Sequence, residues 1–125
     1  MICFDTCVWI AYFAGEESRE VELLDYHLKI HAMIMHPVVL AELFSDADMP
    51  EGIRGSLLSL PEIKLPDGFW ARAGRLRGQM RAAKMTPKLA DTLIAQGCIE
   101  SNTPLVTLDQ GFQRFQRFTS LHLVT

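Results

Sequence analysis

The chain has 125 residues, 49% of them hydrophobic, which is enough apolar material for one compact domain with a buried core. No apolar run approaches the roughly 20 residues that span a bilayer, and the N-terminus lacks the basic start and cleavage site of a signal peptide, so we predict a cytoplasmic protein without membrane contact. The net charge of −3 is unevenly spread, because residues 1–67 hold 4 Lys/Arg and 12 Asp/Glu, giving −8, whereas residues 68–125 hold 8 and 3, giving +5.

Short apolar segments alternate with helical patterns along the chain. The predicted strands are residues 1–4, 31–36, 61–65, 104–108 and 121–125. The predicted helices are residues 5–14, 15–30, 37–46, 51–60, 69–84 and 86–101, the last with Thr86 as its cap and Pro87 in its first turn. The alternation predicts a single α/β domain, residues 1–125, with a parallel sheet covered by helices on both faces.

Four acidic residues lie in otherwise apolar surroundings. Asp5 and Asp109 each follow an apolar strand, whereas Glu42 in "VVLAELF" and Asp91 in "KLADTLIAQG" interrupt apolar helical runs. Taken singly, the two strand-end acids could be helix caps and the two helical acids could face solvent. Taken together, they lie at strand ends or helix starts that a parallel sheet brings to one edge.

A cluster of carboxylates indicates a divalent metal, because close carboxylates repel unless a cation lies among them. Oxygen ligands without His or Cys favour Mg²⁺ or Mn²⁺, which can activate water for phosphodiester cleavage. Thr6 and Thr107 could orient metal-bound water through their hydroxyls, or serve only as a cap and a β-former. The odd number of cysteines, with no C-x-x-C pair, favours free thiols over a disulfide or zinc site.

A basic helix is the candidate for binding a polyanion. The segment 69–90 carries no acid. We expect the phosphates of such a polyanion to contact its cations Arg72, Arg75, Arg77, Arg81 and Lys84. A solvated helix face would show the same pattern.

Three blocks in this order, "FDTCVWIAYF", "VVLAELF" and "LADTLIAQGCIESNTPLVTLDQGF", resemble the PIN domain and, within it, the VapC toxins of type II toxin–antitoxin pairs. The resemblance covers essentially the whole chain. It implies a three-layer α/β/α fold with a five-stranded parallel sheet. It also implies an Mg²⁺- or Mn²⁺-dependent ribonuclease pocket whose ligands are Asp5, Glu42, Asp91 and Asp109, with Thr107 beside them. RNA is then the polyanion that the cations of residues 69–84 are expected to bind. Cys7 stands where Ser is commoner, and Gly97-Cys98 replaces an alanine-rich stretch.

The resemblance further implies a homodimer held inactive by a cognate VapB-like antitoxin. The large apolar side chains of "VWIAYF", residues 8–13, could form part of a groove for that partner, together with the helix beginning at Pro37, or could be plain core. Two other readings stay open. One is a phosphoaspartate-type phosphatase or receiver, although neither Asp-x-Asp after the first strand nor paired early acids are present. The other is a non-catalytic interaction domain of the same fold.

Overall fold

The sheet of the computed structural model, which describes residues 1–124, contains three parallel strands. They are β1 (Ile2–Phe4), β2 (Met33–Ile34) and β3 (Leu105–Val106), in the order β2-β1-β3. In the register, Cys3 lies beside Ile34 on one side and beside Leu105 on the other. Because β1 is central and all strands run the same way, the residues that follow β1 and β3 meet at one edge.

The predicted five-stranded sheet is wrong in extent, since the two outer segments make only single parallel bridges within residues 1–124. Glu62 pairs with Met35, and Leu123 pairs with Leu105. The segment 61–65 is bounded by Pro61 and Pro66, which have no N–H to continue a ladder. At the other edge of the sheet, β3 contains only two residues. Adjacent residues of a strand direct their backbone N–H and C=O groups to opposite neighbouring strands. Only Leu105 therefore faces the C-terminal segment. Thr125, the last residue of the predicted fifth strand, lies outside the described residues.

Helices make up most of the remaining chain. Their bounds are α1 Thr6–Phe13, α2 Arg19–Lys29, α3 Pro37–Phe44, α4 Glu51–Leu58, α5 Phe69–Ala82, α6 Leu89–Glu100 and α7 Gln113–Phe118, with a short 3₁₀ helix at Gln110–Phe112. No helix within residues 1–124 is long and apolar enough to cross a membrane.

Two predicted helix starts were wrong. The second helix begins at Arg19 rather than at residue 15, because the Ser18 hydroxyl caps it by accepting from Val21 N–H at 3.1 Å. The helix predicted from Thr86 begins at Leu89, and its cap position is Lys88, whose backbone is extended. Helix α7 was not predicted.

The core joins all three strands to the helices around them. Its largest fully buried side chains include Phe4, Phe69, Phe112, Phe115, Leu24, Met33, Met35, Met80, Ile94 and Leu105. Burial of these residues removes large apolar areas from water at about 25 cal/mol per Å², and so supplies the main driving force for folding.

A buried histidine ties α3 to α6. His36 Nδ1 accepts from Val38 N–H at 3.0 Å and so caps α3, while Nε2 lies 3.0 Å from the carbonyl oxygen of Leu93. Since Nδ1 is an acceptor, Nε2 carries the proton. Burial disfavours the imidazolium and lowers the pKa of His36 to about 4. A Cβ at position 97 would lie 2.2 Å from Nε2, so glycine is required there for the ring to reach α6.

Candidate active site

Asp5 is the organising residue of the candidate site. It follows β1 and occupies the N-cap of α1, where its side chain is 5% exposed. Its Oδ1 accepts from Thr6 N–H at 2.8 Å, and its Oδ2 accepts from the Thr107 hydroxyl at 2.8 Å and the Cys7 thiol at 3.2 Å. Donors on both oxygens fix the orientation of this carboxylate, so Asp5 combines capping with a position at the edge of the sheet.

Thr107 links the two acids that follow neighbouring strands. Its hydroxyl donates to Asp5 and accepts from Asp109 N–H at 2.9 Å. Asp109 is exposed, and its Oδ1 accepts from Gly111 N–H at 2.8 Å, which starts the 3₁₀ helix. The capping interpretation of Asp5 and Asp109 is thus correct for both residues, and each retains carboxylate lone pairs for another ligand.

Glu42 joins the same group from α3. It is exposed, and its Oε1 accepts from the Thr6 hydroxyl at 2.6 Å. Because Thr6 adjoins Asp5, this bond brings the helical acid to the strand-end acid. The Thr6 hydroxyl therefore positions Glu42, a contact that the sequence did not reveal.

Asp91, in the first turn of α6, is the fourth acid of the group. Its negative charge, unlike that of Asp5, is not stabilised by hydrogen-bond donors in residues 1–124. Burial, followed by the negative charges of Asp5 and Asp109, raises the pKa of Asp91 to about 6, despite an opposing effect of Lys88. Glu42 adds a smaller contribution in the same direction. All four predicted acids therefore share one electrostatic field, and we refer to Asp5, Glu42, Asp91 and Asp109 as the acidic pocket.

Cys7 supports the acidic pocket as a neutral donor. Burial and the adjacent Asp5 charge raise the pKa of its thiol to about 11, so the thiol stays protonated at neutral pH. The sulfur also accepts from Leu108 N–H at 3.4 Å. The Cys7 thiol thus donates a hydrogen bond to Asp5, as a serine hydroxyl could at this position. The other two cysteines are buried and, as predicted, all three are free.

The acidic pocket fits a hard divalent cation by its donor chemistry. Its members are carboxylates with hydroxyl neighbours, and burial together with the negative charges of the other three acids raises the pKa of Asp91. Within residues 1–124, however, no three acidic, histidine or cysteine side chains converge into a ready-made coordination cluster. Closure of the site around a cation requires side-chain movement by the exposed members.

The basic residues of α5 divide into two groups. Arg72 forms a bidentate ion pair with Glu100 at the end of α6, through Nε at 2.9 Å and Nη2 at 2.5 Å. Arg77 Nε donates to the carbonyl oxygen of Pro87, just before α6 begins. The two helices are therefore antiparallel. The exposed side chains of Arg81 and Lys84 follow toward the end that carries Asp91, whereas Arg72 is engaged in a structural contact at the far end.

The family profile of the PIN domain matches residues 2–117. The chain belongs to the PIN domain family. Its fold is similar to that of VapBC2 from Rickettsia felis, solved bound to a DNA fragment from their promoter, with 24% identity, a TM-score of 0.74, and 99% of this chain and 98% of that chain covered.

Two further structures share the fold. VapBC-5 from Mycobacterium tuberculosis, a member of the VapBC toxin–antitoxin family, shows 19% identity and a TM-score of 0.67, covering 98% of this chain and 96% of that chain. A toxin–antitoxin complex from Klebsiella pneumoniae shows 19% identity and a TM-score of 0.66, with 90% of both chains covered. No curated protein matches the sequence of this chain significantly.

The sequence interpretation missed two arginines on α7. Arg114 and Arg117 belong to "QRFQRF", residues 113–118, in which a tripeptide occurs twice. The repeat itself was the available signal, because positions three apart lie on one side of a helix. It places both cations on the same face, next to the turn that holds Asp109.

Proposed function

We propose that this PIN-domain protein is a VapC-like toxin, an endoribonuclease that cleaves RNA phosphodiester bonds at the acidic pocket with Mg²⁺ or Mn²⁺. The observation that carries the proposal is Asp91, a half-buried carboxylate that accepts no hydrogen bond within residues 1–124 and has three acidic neighbours. Three carboxylates around a fourth raise the free energy of the folded protein unless they serve a positively charged ligand.

The four acids would hold the metal ion, which when bound supplies an activated water and neutralises charge on the phosphate. The residues of the chain position these acids. Thr107 orients Asp5 and the start of the Asp109 turn with one hydroxyl, and Thr6 holds Glu42. His36 fixes α6 against α3, and hence sets the separation of Asp91 from Glu42.

The observed contacts favour this activity over the two alternatives. A phosphoaspartate enzyme needs a free nucleophilic oxygen on the strand-end acid. Both oxygens of Asp5 instead accept hydrogen bonds, and the residue is buried. A non-catalytic domain has no need to retain an uncompensated Asp91, because asparagine would relieve the repulsion.

The test is cleavage of total RNA by the purified protein, with Mg²⁺, with Mn²⁺ and with EDTA, followed by sequencing of the new 5′ ends. Cleavage should require the metal and should be lost in the Asp91→Asn variant. Asp67→Asn is the matched control, since Asp67 is an exposed loop acid outside the pocket. Metal-independent cleavage, or full activity of D91N, would contradict the proposal.

RNA binding is assigned to Arg75, Arg77 and Arg81 of α5 and to Lys84, which lies just beyond the end of that helix. They follow the helix toward the acidic pocket, and the phosphates of a bound strand would be drawn to them. Arg72 takes no part in this assignment because Glu100 binds its guanidinium. Substitution of Arg81 and Lys84 by alanine should weaken RNA binding across sequences and flatten its salt dependence, which fluorescence anisotropy at several salt concentrations measures.

A VapB-like antitoxin is the proposed inhibitor, and an apolar groove between α1 and α3 is its docking site. The groove has a volume of about 370 Å³ and is lined by Ile10, Phe13, Leu43 and Met49, with Glu42 and Asp46 at its polar side. Ile10 is 57% exposed and Phe13 is 41% exposed, which is unusual for such side chains on a short helix. The apolar lining and the two acids suit an amphipathic segment that carries a basic residue.

This assignment predicts that the chain alone arrests growth and that co-expression of the adjacent small gene restores it with a co-purifying complex. Ile10→Asp should prevent rescue while leaving RNA cleavage intact, because Ile10 is outside the acidic pocket. Rescue of I10D by the same gene would place the antitoxin elsewhere. A homodimer and a cytoplasmic location are parts of the same proposal, which sedimentation and fractionation test.

A further inference from the structure

A second cleft adjoins the acidic pocket on the side of α7. Its volume is about 240 Å³, and it is lined by Met85, Arg114, Arg117 and Phe118. The helix that forms its wall is anchored, because Phe115 of the same helix is 1% exposed and contacts Phe112 in the core. The cleft therefore combines two cations and an aromatic ring on a firmly packed element.

Arg114 connects this cleft to the acidic pocket. Its Nε donates to the carbonyl oxygen of Gly111 at 3.3 Å, and the N–H of Gly111 donates to Asp109 Oδ1. A Cβ on Gly111 would lie 3.0 Å from Asp109 Oδ1 and 3.7 Å from Arg114 Nη2, so the guanidinium lies within about 7 Å of that carboxylate. Gly111 therefore connects Arg114 of the cleft to Asp109 of the acidic pocket.

The two arginines of the cleft, Arg114 and Arg117, have no acidic partner among residues 1–124. Arg117 is exposed and makes no hydrogen bond there, and Phe118 is 39% exposed. Two guanidinium groups without an acidic partner in residues 1–124, beside a partly exposed ring, are suited to phosphates with an adjacent base.

Electrostatics give a reason for such a cleft. Four carboxylates in the acidic pocket repel the phosphates of a substrate, and cations at the edge of the pocket offset that repulsion where the strand enters or leaves. Met85, which lines the cleft, directly follows Lys84 just beyond the end of α5, so a single strand could contact the cations of both segments.

We propose that the cleft of Met85, Arg114, Arg117 and Phe118 binds the single-stranded part of the RNA substrate next to the scissile bond. Arg114 and Arg117 each contact a backbone phosphate, and Phe118 stacks on a neighbouring base. This inference rests on the proposed ribonuclease function, and it names the part of the substrate that the enzyme holds outside the acidic pocket.

The experiment measures binding separately from cleavage. A short fluorescein-labelled, mixed-sequence single-stranded RNA is titrated by anisotropy with the D91N protein, which leaves the RNA intact, over a range of salt concentrations. Arg117→Ala is the principal variant because Arg117 is exposed and forms no hydrogen bond or ion pair within residues 1–124, and R114A/R117A is the stronger one. K29A/K64A removes two positive charges at exposed positions away from the cleft and is the matched control.

The double variant should weaken RNA binding about tenfold or more, and it should lower the salt slope by about 1.4, which corresponds to two phosphate contacts on a single strand. R117A should lower the slope by about half as much, and K29A/K64A should leave both quantities unchanged. Melting temperatures of all variants establish that they are folded.

A separate fluorescence measurement tests whether a base of the RNA stacks on Phe118. An RNA in which 2-aminopurine replaces one base should lose fluorescence on binding because the base stacks on Phe118. Phe118→Leu keeps an apolar side chain and should abolish the quenching while weakening binding about fivefold or more. Retained quenching in F118L would overturn this part of the proposal.

The remaining outcomes separate this inference from the proposed function. If the R114A/R117A protein binds RNA like the wild type while the wild type cleaves RNA, the cleft assignment is wrong and the nuclease stands. If the variants lose RNA binding but the wild type does not cleave, the cleft stands and the nuclease is wrong. Unchanged RNA binding with loss of binding to a labelled poly-glutamate peptide would identify a site for an acidic protein segment and overturn the proposal.

Discussion

Asp5 and Asp91, the two acids of the pocket that are not fully exposed, occupy opposite environments. Asp5 is the more buried, yet it accepts hydrogen bonds from a backbone N–H, a hydroxyl and a thiol. Asp91 is only partly buried but has no such donor within residues 1–124, and burial together with its acidic neighbours raises its pKa to about 6.

The difference shows that burial alone does not decide what a carboxylate needs. Donors stabilise the charged form of a carboxylate, whereas desolvation and like charges destabilise it. The chain thus positions Asp5 before any ligand arrives, and it leaves the charge of Asp91 for a proton or a cation to neutralise.

Replacing each acid by asparagine is the strongest test of this contrast. Both Asp5→Asn and Asp91→Asn should reduce RNA cleavage at least about 10³-fold, since each removes a ligand charge that is worth several kcal/mol to the reaction. Their stabilities should change in opposite directions. D5N should lose about 1–3 kcal/mol, because an amide cannot accept all the hydrogen bonds that the carboxylate accepts.

D91N should gain about 1 kcal/mol, the part of the roughly 3 kcal/mol implied by the raised pKa of Asp91 that partial exposure to solvent leaves. Urea unfolding in EDTA measures both changes, and the D67N control should change neither stability nor activity. A stability loss in D91N as large as that in D5N would show that the two environments do not differ as described.

Gly97→Ala tests how the Asp91 side of the pocket is held in place. The new Cβ would lie 2.2 Å from His36 Nε2, so either the buried ring or α6 must move, and we expect a loss of about 3 kcal/mol. Gly74→Ala is the matched control. It also lies in a helix but has open space, and it should gain about 0.5–1 kcal/mol. Thermal and urea unfolding compare the two, and equal stabilities would disprove the role of Gly97.

The pH dependence of stability sharpens the comparison further, because His36 and Asp91 act in opposite directions. His36 has a pKa of about 4 in the folded protein and about 6.5 unfolded, so the folded state binds fewer protons between these values and stability rises with pH. Asp91 has a pKa of about 6 folded against 3.8 unfolded. The folded state therefore binds more protons between those values, and the Asp91 contribution to stability falls as pH rises.

The wild type should consequently gain about 2 kcal/mol between pH 4 and 6.5, because an Asp91 contribution of about 1 kcal/mol opposes that of His36. D91N, which retains only the histidine contribution, should gain about 3 kcal/mol across the same interval. Urea unfolding at a series of pH values in EDTA tests this. Parallel curves for the two proteins would mean that Asp91 does not titrate as proposed.

The smallest expected effect concerns the hydroxyl that orients Asp5. Thr107→Val keeps the shape of the side chain but removes a donor to Asp5 and an acceptor for Asp109 N–H, and it should cost about 1–2 kcal/mol. Thr107→Ser retains the hydroxyl and should cost less. Unfolding in EDTA measures both variants, and equal losses would assign the effect to packing rather than to hydrogen bonding.

Much of the fold and the identity of the four acids could be predicted from local patterns. Asp5 and Asp109 follow apolar strands, and Glu42 and Asp91 interrupt apolar helices, so each was noticeable in its own segment. Helix α5 was predicted within two residues because its apolar side chains repeat at helical spacing. The predicted outer strands, residues 61–65 and 121–125, were too long. Apolar composition predicts a strand but does not show how many backbone N–H and C=O groups of the neighbouring strand are available to pair with it.

What the sequence by itself determined is therefore the set of acids, the order of strands and helices, and the membership of the PIN family. These depend on residue types and short spacings. Only the tertiary structure decided which acid receives hydrogen bonds, since Thr107 and Asp5 are 102 positions apart and Leu93 lies 57 positions from His36. It likewise engaged Arg72 with Glu100 and left Arg114 and Arg117 beside the pocket. Charge and hydrogen bonding act over a few ångströms in space, and only folding sets those distances.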